Sequence, residues 1–204
     1  CARCTRYCDE VEAVNAITLS NRGGETTIAT AGNRGLLDTT CELCGGCIAT
    51  CPTGALIEKK APTNLVSLGT DVTRSTCNFC GVGCQLDLHV HNDRVVKITS
   101  PEPGETLNDG NLCVKGRFAY DFIHHEDRIT TPLIRGADGD LHPASWEEAL
   151  AATASGLKAV KDKYGADSLG FISSSRCTGE ENYLMQKLSR AVFGTNNIHQ
   201  CAAT

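Results

Sequence analysis

Along the last third of the chain, the hydrophobic positions follow a helical period. Trp146, Ala149, Leu150, Thr153, Leu157 and Val160 recur every three or four residues, which places them on one stripe of a helix. Ser145 and Glu148 stand ahead of them at capping-box spacing, and Gly165 closes the segment. His142-Pro143 reads as the turn before that cap. Ser168–Ser173 (SLGFIS) reads as a buried strand, SSRCTG as a loop, and Glu180–Phe193 as a second helix stopped by Gly194. This α–β–loop–α order is the opening of a larger α/β domain. One strand and two helices cannot close a core, so their apolar faces are expected to be exposed. Upstream the period falls to two. Leu86, Leu88 and Val90 alternate, as do Val96 and Ile98, across a turn at Asn92-Asp93, which predicts a hairpin. A second hairpin is predicted around Asn21-Arg22-Gly23-Gly24. Residues 101–111 (PEPGETLNDGN) form a polar loop, and 61–73 lack periodicity and read as a linker. The predicted segments are therefore 1–60, a linker at 61–73, 74–128, and 129–204.

Composition changes this picture at one point. The chain has 204 residues, 41% hydrophobic and 21% charged, ordinary values for a globular protein. A net charge of -5 argues against nucleic acid as a partner. No apolar run approaches the roughly 18–20 residues of a membrane span, and no secretory leader is visible. The outlier is cysteine, with 13 residues, 11 of them before position 114. They stand in tight runs whose members cannot all pair with one another but can converge on a metal. That pattern points to a reducing compartment and cysteine-ligated metal rather than a disulfide scaffold.

Cys41-x2-Cys44-x2-Cys47-x3-Cys51-Pro52 is the run of bacterial ferredoxins. Its first three thiolates reach three corners of a [4Fe-4S] cubane, and its fourth ligates the other cluster of a pair. A second run must then exist, and Cys1-x2-Cys4-x3-Cys8 matches its last three cysteines. The swap assigns Cys8 with Cys41, Cys44 and Cys47 to one cluster. It assigns Cys1, Cys4 and Cys51 to the other, with a further cysteine expected three residues before Cys1. A third set, Cys77-x2-Cys80-x3-Cys84 with Cys113 after 28 more residues, completes the allocation and leaves only Cys177 and Cys201. Zinc at this third set remains open on spacing. Gly81 and Gly83 let the backbone approach a cluster closely.

CNFCGVGC…GNLCVKGRF resembles the iron–sulfur segment of molybdopterin oxidoreductases, and CARCTRYC…CELCGGCIATCPTGAL resembles the module preceding it in complex formate dehydrogenases. With GRFAYDFIHHEDRITTPLIR and SSRCTGEENYLMQKLSRAVFGTNN, the chain is similar to the catalytic alpha subunit of molybdenum- or tungsten-dependent formate dehydrogenases over its whole length. The resemblance implies an α+β architecture. A ferredoxin-like two-[4Fe-4S] module (1–60) is followed by a small β-rich [4Fe-4S] domain (74–128) and the start of an α/β molybdopterin domain (129–204). It implies three [4Fe-4S] clusters and a molybdenum or tungsten bis-molybdopterin guanine dinucleotide. The implied reaction interconverts formate and CO2 in the cytoplasm. The implied electron partner is an electron-transfer subunit, a ferredoxin, or an NAD-linked diaphorase or hydrogenase subunit.

In the family, a lysine matching Lys115 lies between cubane and pterin, which implies a charge-assisted role; by itself it reads as a surface lysine. Ser174, Ser175, Arg176 and Asn182 lie on the strand-to-helix loop and helix start where open α/β sheets bind ligands. They are pterin-contact candidates, with Arg176 suited to the pyrophosphate at a helix N-terminus; a solvated polar loop is the other reading. Cys177 reads either as a packing residue or as a pocket-lining thiol, and the six histidines as structural or solvated. By the same resemblance, position 205 is the metal-ligating selenocysteine or cysteine, with a UGA codon expected there. Two other readings are kept: the large iron–sulfur subunit of NADH–quinone oxidoreductase, and another molybdenum enzyme such as a nitrate reductase.

Overall fold

A computed structural model of the chain describes residues 1–61 and 69–201. The segment forms two compact units, residues 1–79 with 83–124, and residues 80–82 with 125–204.

In the first unit, α1 (Arg3–Arg6) runs into a wider π turn over Tyr7–Val11. The hairpin β1 (Thr18–Ser20) and β2 (Thr27–Ala29) pairs Thr18 with Ala29, as the Asn21–Gly24 turn predicts. The short α2 (Gly46–Ala49) carries Cys47. Beyond it, β3 (Asp71–Thr76), β4 (Gln85–His91) and β5 (Arg94–Thr99) form an antiparallel sheet in that order. The β4–β5 turn needs two successive left-handed residues. Asn92 (φ 49) and Asp93 (φ 57) supply them, since short polar side chains tolerate that region.

Strand β3 is a correction to the linker expected at 61–73. Residues 62–68 of that linker lie outside the described residues, whereas 71–73 are already paired strand. All six β3 residues are exposed, so no alternation marks the strand. It is held by the ladder and by Arg74, whose guanidinium donates to both carboxylate oxygens of Asp87 at 2.8 and 3.1 Å.

The core of this unit is small. Leu86 and Ile98 from the sheet pack with Leu112 and Tyr120, which flank α3 (Val114–Phe118). Cys77 and Cys84 pack against this core. The Tyr120 hydroxyl lies 2.9 Å from Glu58 Oε1 and 3.1 Å from the Val96 carbonyl. Burial raises the Glu58 carboxyl above its ordinary range, against the opposing pull of that hydroxyl.

The polar loop 101–111 is tied down by one side chain. Asn108 Oδ1 accepts from the Gln85 N–H at 2.9 Å, and its Nδ2 donates to the carbonyls of Asn111 (2.8 Å) and Gln85 (3.1 Å). Asn108→Ala strands part-buried backbone groups on β4. It is expected to cost about 2–3 kcal/mol, read as a lowered urea midpoint at unchanged m-value.

In the second unit, β6 (Leu133–Arg135) pairs with β7 (Leu141–Pro143). His142 and Pro143 therefore lie in a strand and not in the expected turn. Pro143 ends that strand, where its missing N–H costs no ladder bond. Helix α4 (Trp146–Tyr164) starts at the Ser145–Glu148 capping box and stops at Gly165, as expected. None of its residues is buried, and Trp146 remains 71% exposed. Strand β8 (Phe171–Ser174) begins later than expected, after a 3-10 turn over Ala166–Ser168. It is also less buried than expected, with Ile172 73% exposed. It pairs in parallel with β9 (Ile198–Cys201), a strand the residue pattern did not reveal. Helix α5 (Gly179–Lys187) continues as a π turn over Leu188–Phe193 and ends at Gly194 (φ 76). Phe171 and Phe193 stack at 5.2 Å between ring centroids.

Candidate metal centre

All the cysteines of the described residues whose side chains are placed carry free thiols. Cys8, Cys41, Cys44 and Cys47 line one largely apolar cavity of about 80 Å³, closed by Val14, Ala16, Ile17 and Leu36 among others. This is the quartet that the ferredoxin spacing assigns to one cluster.

The backbone around these thiols is built to donate. Leu43 (φ 56) and Gly45 (φ 74) turn the loop left-handed between the cysteines. The N–H of Leu43 then reaches Cys41 Sγ at 3.4 Å, and that of Gly46 reaches Cys44 Sγ at 3.5 Å. Ala16 N–H donates to Cys8 Sγ at 3.3 Å, and Ile48 N–H to Cys47. Aimed N–H groups of this kind form a concavity for a negative centre. In the metal-free chain, burial pushes the Cys44 thiol up to about 11. It also raises Cys47, on which Cys41, Cys4 and Cys8 add repulsion. Thiols that resist ionisation when crowded together ionise readily on a cation, so the donor set fits an iron–sulfur cluster. Among the described residues no three His, Cys, Asp or Glu side chains close on a single ion. A cubane makes no such demand, because it holds its thiolates at its outer corners.

Glycine is needed at two points. A Cβ on Gly46 would meet the Tyr7 ring at 1.8 Å, and one on Gly45 would meet Arg117 Cδ at 2.4 Å. Tyr7 and Arg117 thus pack directly on the cluster loop, and sequence reasoning singled out neither. Arg117 is buried at 3% exposure, and its Nε donates to the Cys44 carbonyl at 2.8 Å. The only signal available was its place four residues after Cys113.

Cys51 is set apart from the quartet and lines an open cleft of about 810 Å³ with Arg3 and Arg6, neighbours of Cys4. Cys4 is buried and Cys1 exposed. Hydrogen bonds from Leu56 N–H, then from the Thr53 hydroxyl and N–H, bring the Cys51 thiol down to about 6. At pH 7 the metal-free chain should therefore alkylate first at Cys51. The difference in thiolate fraction from Cys44 is about 10⁴-fold, and the lower nucleophilicity of the more acidic thiol offsets about 10² of it. A Cys51-to-Cys44 rate ratio of roughly 30–100 is expected from peptide mapping after an iodoacetamide pulse. Equal rates would contradict the assigned environments.

In the third set, Cys77 N–H donates to the Cys84 carbonyl at 2.8 Å and closes the loop. A Cβ on Gly116 would lie 3.5 Å from Cys77 Sγ, so α3 runs beside this thiol. Cys113 is the N-cap of α3, and Lys115 is half-buried on its first turn. Cys80 belongs to the short stretch that groups with the second unit, where Gly81 lies under the Ser175 carbonyl.

Ser175 and Arg176 stand on the loop after β8 as expected, with Arg176 exposed, whereas Ser174 is the last residue of the strand. Asn182 braces the loop, its Nδ2 facing the carbonyls of Thr178 (2.9 Å), Ser174 and Cys177 (both 3.3 Å). The start of α5 is capped by Thr178 and the Glu181 carboxylate, with Glu180 alongside. Cys177 is exposed and is not a packing residue. The histidines that were read as structural have structural partners. His89 bonds Thr99 Oγ1 at 2.8 Å, and His124 Nε2 accepts from Val95 N–H at 2.9 Å.

Residues 70–125 match the molybdopterin oxidoreductase Fe4S4 domain, and residues 128–204 match the molybdopterin oxidoreductase family. The chain is 40% identical over 198 residues to the NADPH-Fe(3+) oxidoreductase subunit alpha of Geobacter sulfurreducens, covering 97% of this chain and 22% of that protein. It is 32% identical over 240 residues to a Staphylococcus haemolyticus protein named "Putative formate dehydrogenase", covering 99% of this chain and 24% of that one. The chain thus spans about a quarter of the length of these relatives. Acetylene hydratase from Pelobacter acetylenicus superposes with a TM-score of 0.50 at 27% identity, over 62% of this chain and 18% of that one. No helix among the described residues is long and apolar enough to cross a membrane. With an Fe4S4 domain followed by a molybdopterin domain, the chain belongs to the molybdopterin oxidoreductases.

Proposed function

We propose that this chain is the electron-relay and first pterin-binding part of a formate dehydrogenase catalytic subunit. The observation that carries the relay is the cavity shared by Cys8, Cys41, Cys44 and Cys47, upstream of the Fe4S4 domain. Four thiols from two separate runs meet there, with N–H donors around them. The same reading gives Cys77, Cys80, Cys84 and Cys113 to a second cubane, and Cys1, Cys4 and Cys51 to a third. A ferredoxin-like module over residues 1–60 follows from it.

When bound, the molybdenum or tungsten pterin group supplies a two-electron acceptor for formate, which leaves as CO2 and a proton. The protein's own part is to hold the cluster thiolates, to present the half-buried Lys115 ammonium beside the Cys113 cluster, and to offer Ser174, Ser175 and Arg176 to the pterin dinucleotide. Formate as substrate is supported by the relatives that carry that name. The greater identity to an NADPH-Fe(3+) oxidoreductase subunit favours a second reading, in which the same relay passes electrons from NADPH to a metal acceptor. An electron-transfer partner subunit fits either reading, as does a cytoplasmic, reducing setting.

The intact enzyme, expressed anaerobically with its metal loaded, should reduce a viologen dye with formate. Reduction by NADPH alone, with formate inert, would overturn formate and favour the second reading.

A further inference from the structure

The structure joins two cysteine sets through one side chain. Arg117 donates its backbone N–H to the Cys113 carbonyl at 3.1 Å, and its Nε to the Cys44 carbonyl at 2.8 Å. Its stem lies over Gly45, which has no Cβ to displace it. The guanidinium is buried among Tyr7, Cys44, Cys47 and Glu58. Its Nη2 is buried with no hydrogen-bond partner. A buried cation with an unanswered donor is costly, at several kcal/mol for the charge alone after relaxation. Such a group persists where a negative centre answers it. Glu58 bonds Tyr120 through one oxygen, and its charge reaches Arg117 together with those of Cys44 and Cys47, so the carboxylate and the cysteine quartet share the negative field at the guanidinium.

We propose that Arg117 is a positioning residue for the cluster of Cys8, Cys41, Cys44 and Cys47. It raises that cluster's reduction potential and links the cluster to the ligand loop of Cys113. The inference rests on the iron–sulfur reading of this cavity. One electron makes the cluster more negative, and a fixed cation close by stabilises that reduced state. The path from Cys44 through the Arg117 side chain and backbone to Cys113 crosses two hydrogen bonds. No other residue among those described makes this pair of bonds. The arginine fork matters because its Nε holds the Cys44 carbonyl while Nη2 stays unpaired at a fixed place on the same rigid plane, whereas a lysine keeps the charge but carries all its donors on one mobile nitrogen.

The test is a potentiometric titration of the anaerobically reconstituted chain, followed by electron paramagnetic resonance with iron counted in parallel. The relevant signal is identified as the one lost in Cys44→Ala. Arg117→Met should keep its iron while the reduction equilibrium of that signal falls at least tenfold, a shift of 59 mV to lower potential for a one-electron couple. Arg117→Lys should shift less than half as far. A loaded Arg117→Met chain with an unmoved potential would overturn the proposal. If that variant fails to load, wild-type chain labelled with 15N-arginine decides. Hyperfine spectroscopy of the reduced cluster should then show an arginine nitrogen, and its absence would overturn the proposal. A wild-type chain that takes up no iron would overturn the iron–sulfur reading itself, a different result from a loaded cluster whose potential does not move.

Discussion

Cys44→Ala should strip one whole cluster from a chain that otherwise folds. Cys44 holds one corner of the cavity, and its neighbours Gly45 and Gly46 leave no room for another ligand to swing in, because Arg117 and Tyr7 occupy that space. A cubane with three thiolates loses iron, so about four of the iron atoms bound by the wild type should go, or three should remain as a labile three-iron form. The sheet β3–β5 and its core of Leu86, Ile98, Leu112 and Tyr120 include no atom of Cys44. Far-ultraviolet circular dichroism should therefore be unchanged. Iron content equal to wild type would remove Cys44 from the ligand set.

Lys115→Met in the intact enzyme should lower formate turnover about 10- to 100-fold while iron content stays near normal. Lys115 stands two residues beyond Cys113 on α3 and touches no cluster ligand's role. A charge-assisted hydrogen bond is worth about 1.5–3 kcal/mol, which converts to that range of rate. Loss of the ammonium should slow electron transfer between pterin and cluster without emptying either site. Wild-type turnover in Lys115→Met would refute the relay role. A fall accompanied by iron loss would make the lysine structural.

What could be read beforehand divides along physical lines. That Cys8, Cys41, Cys44 and Cys47 share one cavity was legible because they stand at the fixed spacing of a ferredoxin-like run. Gly45 and Gly46 answer instead to the close packing of Arg117 and Tyr7. The hairpin turns at Asn21–Gly24 and Asn92-Asp93 were legible because left-handed backbone restricts residue type. Helix α4 announced itself through the Ser145–Glu148 cap. Strand β3 did not, because both of its faces meet solvent and no alternation survives. Strand β9 was hidden for another reason: Ile198–Cys201 is short, and its partner β8 is reached only through the whole of α5. Arg117 was overlooked since an arginine at that spacing looks like a solvated helix face. Only burial against Gly45 and the bond to Cys44 distinguish it. The loop-bracing bonds of Asn182 were not legible, because a side chain that fits a ligand's polar groups fits the loop's own carbonyls equally well.

Elemental analysis of the anaerobically reconstituted chain, with iron and zinc quantified together, tests the central claim most directly. Two complete cysteine quartets, Cys8 with Cys41, Cys44 and Cys47, and Cys77 with Cys80, Cys84 and Cys113, should bind about eight iron atoms with matching sulfide. The solution should show the broad brown absorption of thiolate-ligated clusters, bleached by reductant. Zinc as the dominant metal, with no such absorption, would contradict the account.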